Sequence, residues 1–381
     1  MTDSRETAQN PVPVDASRRR LIGAAGAGAL AMTFSGLLSG SGGGSAGSAA
    51  RTLRWGVVGT GGIANSMAPM IKQADHAELA AVSSRRMETA REYADAHDVP
   101  NAFDAWADMV ASDSVDAIYV ATPTAVKEEI CIAAARNGKH VLGEKPLADL
   151  ASLRRITTAC REHGVGFMDA THFVHSPRTA EIKAHLPERV GWPWSVASAF
   201  QFSLTDPNNI RMNPDLEPYG AIGDAGWYTM RTAVEFLAPG VRLVSANAYM
   251  RRGGPKRAAV SGSGVLVFDD ASTLTWNCGF QSGAGIMDLR ISGENGVVKL
   301  DDFLTRRPTD RTADYEYRQH WNDSRYIEVP QDKHEAALMY QDFAEMVQSE
   351  AWKDASMLAS ERTQEFLDAA WRSALDNEMG A

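Results

Sequence analysis

Cysteine is scarce in this chain: Cys131, Cys160 and Cys278 are the only three in 381 residues, and they stand far apart. That count excludes a disulfide scaffold, and none of them has the paired spacing of a zinc site, so no metal centre is expected. Positive charge is also short. The net charge is −10, with the first 50 residues at +1, and an acidic surface argues against nucleic acid or an anionic membrane as partner. No Ser-His-Asp signature stands out. Long apolar segments are nearly missing as well. The stretch Leu21–Leu38 carries no charge but is diluted by glycine and alanine, which makes it a poor membrane span.

The residues before that stretch give it another meaning. Ser17-Arg18-Arg19-Arg20-Leu21-Ile22 precedes it, and a Gly/Ser/Ala run continues to Ala50. An arginine pair ahead of a weakly hydrophobic segment reads as a twin-arginine signal, cleaved near Ala49 or Ala50. Residues 1–50 are therefore expected to be signal and linker. The mature protein is then exported to the periplasm or another extracytoplasmic space, without stable membrane insertion. A membrane anchor is the rival reading, and a cytoplasmic protein follows if the signal reading fails.

Beyond residue 50 the texture is that of an α/β enzyme. Thr52–Val58 is a short apolar run, as expected for a buried parallel strand, and Gly59-Thr60-Gly61-Gly62-Ile63-Ala64 follows directly. The run fits the dinucleotide turn G-x-G-x-x-(G/A): Gly59 for the tight turn, Gly61 for close approach of a pyrophosphate, Ala64 for helix–strand packing. The following helix N-terminus offers N–H groups to phosphate. The next strand ends where an acid would read the ribose 2′-hydroxyl of NAD. Here Ser83-Ser84-Arg85-Arg86 stands instead, hydroxyls and guanidiniums suited to a 2′-phosphate, so NADP is favoured and NAD is the alternative. A solvated basic turn is the bland reading of the same four residues.

Strands and helices alternate through Thr122-Pro123, a nicotinamide-side loop, and on to Gly143-Glu144-Lys145-Pro146 at another strand end. That alternation predicts a doubly wound parallel Rossmann sheet over residues 51–172. Residues 173–333 hold runs such as 195–202, 243–249, 263–268, 272–276, 288–291 and 296–300, joined by short turns. They predict a second α/β domain with a large, open, mainly antiparallel sheet. One face should cover helices, and the other is a candidate surface for homo-oligomer formation. Residues 334–381 are expected to add C-terminal helices.

Asp224 and Tyr228 fall four apart on a helix expected over 224–237, which puts both on one face. Oxidation of a carbinol needs a base for the hydroxyl proton while hydride leaves the same carbon. Tyr228 starts from a pKa of about 10 and needs a nearby cation to work near neutrality. Lys145 is the candidate to supply it, with Tyr228 moving the proton and Asp224 holding a substrate hydroxyl; exchanging the roles of Lys145 and Tyr228 stays open. The nicotinamide ring is expected to push Lys145 downward. His172, His175 and Arg211 are further candidates for the substrate side, although a structural histidine is as good a reading for the first two.

Together these pieces resemble the Gfo/Idh/MocA oxidoreductases over roughly residues 53–375. The resemblance rests on residues 59–64, Ala121-Thr122-Pro123, Gly138–Pro146 and Gly220–Tyr228. It implies a Rossmann domain, an open-sheet substrate domain used for oligomerisation, and hydride transfer to or from a sugar, polyol or related diol. Lys145, Asp224 and Tyr228 match the family's Glu-Lys-Pro lysine and its helical Asp-x-x-x-(His/Tyr) pair. The tyrosine version is similar to glucose–fructose oxidoreductase and dihydrodiol dehydrogenase, and the stretch Asn209–Leu216 is similar to a branch also found in plants. One departure stands out: Pro123-Thr-Ala-Val-Lys127 replaces the family's Pro-Asn-x-x-His. Two other activities use the same fold, a glycoside-cleaving enzyme with transient redox and a non-catalytic nucleotide or sugar sensor. For an exported enzyme, the likeness to glucose–fructose oxidoreductase implies a captive cofactor recycled by a second substrate.

Overall fold

Six short strands with apolar side chains on both sides build the first sheet of the computed structural model, which describes residues 51–305, 314–321 and 323–379. They are β1 (Leu53–Val58), β2 (Ala77–Ser83), β3 (Asn101–Phe103), β4 (Ala117–Val120), β5 (His140–Gly143) and β6 (Phe167–Asp169). All pair in parallel, in the order β3-β2-β1-β4-β5-β6. Such strands are buried on both faces, and β1 shows it: Trp55, Val57 and Val58 are all within the core. The order reverses between β1 and β4, and the crevice beyond their carboxyl ends is where open α/β sheets take ligands. Helices α1 (Gly62–Gln73), α2 (Met87–Ala96), α3 (Trp106–Ala111), α4 (Lys127–Arg136) and α5 (Leu150–Glu162) fill the crossovers.

The second half begins with a 3-10 turn over His172–His175 and helix α6 (Pro177–Arg189). Its strands are β7 (Pro193–Ser203), β8 (Leu243–Gly253), β9 (Ala258–Phe268), β10 (Thr273–Gly279), β11 (Gln281–Gly293), β12 (Val297–Leu300), β13 (Tyr315–Arg318) and β14 (Ser324–Ile327). They form one sheet ordered β14-β13-β12-β11-β7-β10-β9-β8. Its pairs are antiparallel except β7 with β10, which run parallel. Side chains alternate as a period of two requires. Val196, Leu266, Leu274, Trp276, Leu289 and Ile291 point into the core, whereas Asn247, Ser263, Thr275, Asp288 and Arg290 are exposed on the other face. That open face is mixed, with Tyr249 exposed among these polar side chains and Val265 and Val267 partly exposed.

Between β7 and β8 lie helices α7 (Gly220–Asp224) and α8 (Gly226–Phe236), and the chain ends in α9 (Glu335–Met346) and α10 (Glu350–Met379). The expected single helix over 224–237 is thus two helices that meet at Ala225. The terminal helices are not an appendage. Trp55 of β1 packs at 4.9 Å on the rings of both Tyr340 and Phe343, so α9 closes one face of the first sheet. Helix α10 packs on α5, α8 and β8, and Phe366 meets Phe268 of the second sheet at 5.1 Å. The export-signal segment at residues 1–50 lies outside the described residues. Among the described residues no helix is long and apolar enough to cross a membrane.

Candidate active site

The turn after β1 is dictated by sterics. Gly59 has φ of 103°, and a Cβ there would stand 3.0 Å from the carbonyl oxygen of Ala121. Gly61 and Gly62 are exposed, and a Cβ on either would meet nothing within 4 Å. The space in front of α1 is thus open, and no side chain caps the helix. Its first N–H groups are a site for anionic oxygen. Thr60 and Ile63 flank it, with the Thr60 hydroxyl 3.4 Å from that of Ser84. Ser84 also bonds Thr89 at 2.8 Å, and Arg85 and Arg86 are exposed beyond the end of β2. Across the crevice the Thr122 hydroxyl is buried without a hydrogen-bond partner, beside Pro123. An open glycine cradle, an orphaned hydroxyl and two free-standing guanidiniums fit a dinucleotide with an extra phosphate on its ribose.

The strand end after β5 brings the reactive side chains together. Lys145, joined to Pro146 by a cis peptide, points its ammonium at Asp224 Oδ1, 2.7 Å away, and at the Asp224 carbonyl, 3.0 Å away. Its nitrogen also lies 4.8 Å from the centre of the Tyr228 ring. Arg211 closes the other side, its Nε donating to Asp224 Oδ2 at 2.8 Å. The two-helix junction at Ala225 still presents Asp224 and Tyr228 to one point, because Ala225 itself keeps helical dihedrals. Behind them Glu144 is buried and accepts a 2.5 Å hydrogen bond from Tyr119. Burial raises its pKa.

Three expectations are modified by these contacts. Asp224 is held by a cation at each of its oxygens, so a substrate hydroxyl would share it with Lys145 and Arg211. Burial works against its charge, but Lys145 and Arg211 override it and hold the carboxyl down at about 2. Lys145 is not lowered before the nucleotide is in place: burial lowers it, but the Asp224 carboxylate wins and its pKa stands above the ordinary lysine value. The push expected of the nicotinamide ring would act against that pair. Nor is Tyr228 acidified. Burial pushes its phenol up to about 12, and Lys145, which sits over the ring face rather than at the hydroxyl, only partly offsets this.

The histidines divide. The Nε2 of His172 lies 3.5 Å from the Tyr228 hydroxyl, and the rings are 5.6 Å apart. His175 instead turns to α9, its Nδ1 2.7 Å from Asp342, and is not brought to Lys145, Asp224 or Tyr228. Phe200 packs edge-on against Tyr228 at 5.6 Å.

Some contributors escape a reading of the sequence. Glu217 receives the Thr124 N–H at 3.0 Å and the Thr124 hydroxyl at 2.7 Å. Lys127, the departure in the Pro123–Lys127 stretch, is buried and donates to the Pro146 carbonyl at 2.9 Å and the Thr124 hydroxyl at 3.2 Å. Together they tie the Thr122 loop, the Lys145 loop and the segment before α7. A lysine on the inward face of α4 was the available signal; Glu217 offered none. Helix α8 is anchored from behind: Trp227 donates to Thr171 at 2.7 Å, and Arg231 to Asp169 at 2.7 Å and Glu235 at 2.7 Å. Among the described residues no group of three His, Cys, Asp or Glu could hold a metal ion.

Comparison with known proteins agrees with this arrangement. Residues 53–170 match a family model described as "Oxidoreductase family, NAD-binding Rossmann fold". The chain is 32% identical to D-xylose 1-dehydrogenase (NADP(+)) 2 of Haloferax volcanii, over 60% of this chain and 70% of that protein. It is 29% identical to scyllo-inositol 2-dehydrogenase (NADP(+)) IolU of Bacillus subtilis, over 65% of this chain and 76% of that protein. Among solved structures, aldose-aldose oxidoreductase from Caulobacter crescentus, complexed with glycerol, superposes with a TM-score of 0.75 at 22% identity, covering 86% of this chain and 98% of the other. KijD10, a 3-ketoreductase from Actinomadura kijaniata in complex with NADP and TDP-benzene, gives 0.74 at 24%, covering 85% and 98%. At these identities the two structures establish a shared fold.

Proposed function

The chain belongs to the Gfo/Idh/MocA oxidoreductase family, and from that premise we propose that it moves a hydride between NADP and a carbinol or carbonyl carbon of a sugar or polyol. The observation that carries the reading is the convergence of Lys145, Asp224 and Tyr228 at the carboxyl edge of the first sheet. The choice of NADP rests on Ser84, Arg85 and Arg86 where an acid would serve NAD, and on the NADP named for both curated relatives. Gly61, Gly62 and Ile63 would hold the pyrophosphate at α1, with Thr122, Pro123 and Glu144 on the nicotinamide side. When bound, the nicotinamide supplies the hydride acceptor or donor.

The residues of the chain account for the rest. Tyr228, protonated at neutral pH, gives its proton to the carbonyl oxygen in reduction and takes it back in oxidation. Lys145, over the face of the Tyr228 ring, stabilises the phenolate left behind through its field. Asp224 fixes Lys145, and Arg211 fixes Asp224, so the ammonium is held without needing substrate to order it.

The test is absorbance at 340 nm with NADP+ or NAD+ against a panel of aldoses and polyols. Turnover at least about tenfold better with NADP+ is expected, a preference lost when Arg85 and Arg86 are replaced by alanine. Cleavage of a glycosidic bond with no net change in nucleotide and no oxidised or reduced sugar product would replace this reading with the glycoside-cleaving one, and nucleotide binding without any turnover would replace it with the sensor.

Two statements about the whole protein belong to the same proposal. Export by the twin-arginine route is supported by Arg18-Arg19 ahead of the uncharged Leu21–Leu38 stretch. Replacing both arginines with lysine should hold the protein in the cytoplasm, and unchanged export would refute it. A homo-oligomer through the open face of the eight-stranded sheet is supported by the absence of any covering element on that face among the described residues. A monomeric mass in solution would refute it.

A further inference from the structure

Buried polar atoms nearly always find partners, yet beside Tyr228 there is a ring nitrogen that does not. His172 directs Nε2 toward the phenol at 3.5 Å, while its Nδ1 is buried with no hydrogen-bond partner. His334, the residue that caps α9, has its ring 6.4 Å from that of His172. It is also the histidine of the pair that reaches solvent, its side chain being 45% exposed. Beside it the Glu335 Oε1 is buried and likewise makes no hydrogen bond, with His334 Nε2 3.8 Å away. Thr305 lies 3.4 Å from the same nitrogen. Tyr228, His172 and His334 thus form a line from the reacting oxygen to the surface.

We infer that His172 is the proton relay and positioning residue for Tyr228, linking the phenol to bulk solvent beside His334. The inference rests on the functional reading above. In oxidation, the substrate hydroxyl proton passes to Tyr228 as hydride leaves the same carbon. Tyr228 gives its own proton to His172 Nε2, and the proton on His172 Nδ1 leaves to a solvent water on the way to the surface beside His334, whose own Nδ1 stays the acceptor of the Ala336 N–H. One proton reaches solvent, and His172 changes tautomer without gaining charge. Reduction runs the line in reverse. The groups facing His172 are Tyr228 from α8, Lys145 from the β5 loop, His175 from its own turn, and His334 and Glu335 from α9. Burial foremost, and Lys145, His334 and His175 with it, keep the imidazole neutral with a pKa of about 4 against the pull of Glu335. A relay that never becomes an imidazolium suits that environment.

The route makes a demand that a substrate-lining or merely structural histidine does not: in the resting protein His172 carries its proton on Nδ1 and accepts from Tyr228 at Nε2. Nitrogen NMR of the ligand-free, full-length protein labelled at histidine reads this directly. The expected result is the Nδ1–H tautomer, with an Nε2 resonance that moves to a free value in Tyr228→Phe. A proton on Nε2, or no response to that substitution, overturns the inference without any substrate being needed. Kinetics with D-xylose, or the best sugar of the panel, gives the second arm. His172→Gln should lower kcat by about tenfold or more, leave KM within about twofold, and regain most of the loss in added imidazole. His334→Asn, which keeps an acceptor for the helix cap, should lower kcat less, in the same pattern, and serves if His172→Gln does not fold. A rise in KM without loss of kcat assigns His172 to substrate contact and rejects the relay. If Tyr228→Phe is inactive while both histidine variants match the wild type, the relay fails and the functional reading stands. If Tyr228→Phe keeps full activity, the functional reading itself has failed.

Discussion

Removing the Tyr228 hydroxyl removes the group that the account assigns to proton transfer and little else, since the ring keeps its contacts with Phe200 and Lys145. Tyr228→Phe should therefore lower kcat by about 10²- to 10⁴-fold with KM nearly unchanged, measured by steady-state kinetics. Lys145→Met should do comparable damage and leave the Asp224 carboxylate with Arg211 alone. The pH dependence of stability follows from His172. Its folded pKa, about 4, lies below the value of about 6.5 expected in the unfolded chain. A group depressed in this way contributes stability above its unfolded pKa, and that contribution is lost as pH falls toward the folded one. Between about pH 6.5 and 4 the wild type should thus lose stability. His140, also held near 4 by burial, adds to the same window. His172→Met should lose less over that window, as urea titrations at several pH values will show.

At the scale of elements, the two-helix entry to the site depends on Gly220. Its φ is 52°, and a Cβ would stand 2.3 Å from the carbonyl oxygen of Ala259. Gly220→Ala combines an unfavourable backbone region with a backbone clash and should cost at least about 2 kcal/mol in urea unfolding, with Tyr228 displaced. Arg231 anchors α8 from the other side through Asp169 and Glu235, all three buried or nearly so. Arg231→Met leaves the buried Asp169 carboxylate without its cation, while Glu235 keeps Lys183, and should cost about 3–5 kcal/mol, read as a loss of Tm.

These elements also show what a sequence can reveal. The glycines at 59, 61 and 62 are legible because their requirement is local: a positive φ, and space that a side chain would fill. Lys145, Asp224 and Tyr228 are legible from their order along the chain. Their electrostatics are not. The ion pair with Asp224 and the second cation from Arg211 arise only when the segment before α7 folds over the strand end, and burial is what reverses the expected direction for Tyr228. Glu217 and His334 act through neighbours 93 and 162 positions away in sequence, Thr124 and His172. The break at Ala225 was hidden because Ala225 keeps helical dihedrals and no proline marks it. Strands β13 and β14 are four residues each; β13 alternates as Tyr-Glu-Tyr-Arg but is too short to stand out, and β14 shows no alternation.

At the scale of the molecule, the fold divides the work. The first sheet offers an open glycine cradle, the second presents one buried and one open face, and α9 and α10 bind the two together through Trp55 and Phe268. The catalytic groups sit where these parts meet, so the activity belongs to the whole chain rather than to the Rossmann half. The measurement that tests the central claim most directly follows an atom. The protein is mixed with NADP+ and a sugar of the active panel carrying deuterium at the carbinol carbon, and the nucleotide is then released and weighed by mass spectrometry. The account predicts one deuterium retained in NADPH for each sugar oxidised, and almost none formed by Tyr228→Phe. Sugar consumed with no label in the nucleotide or in a second, reduced sugar would contradict it.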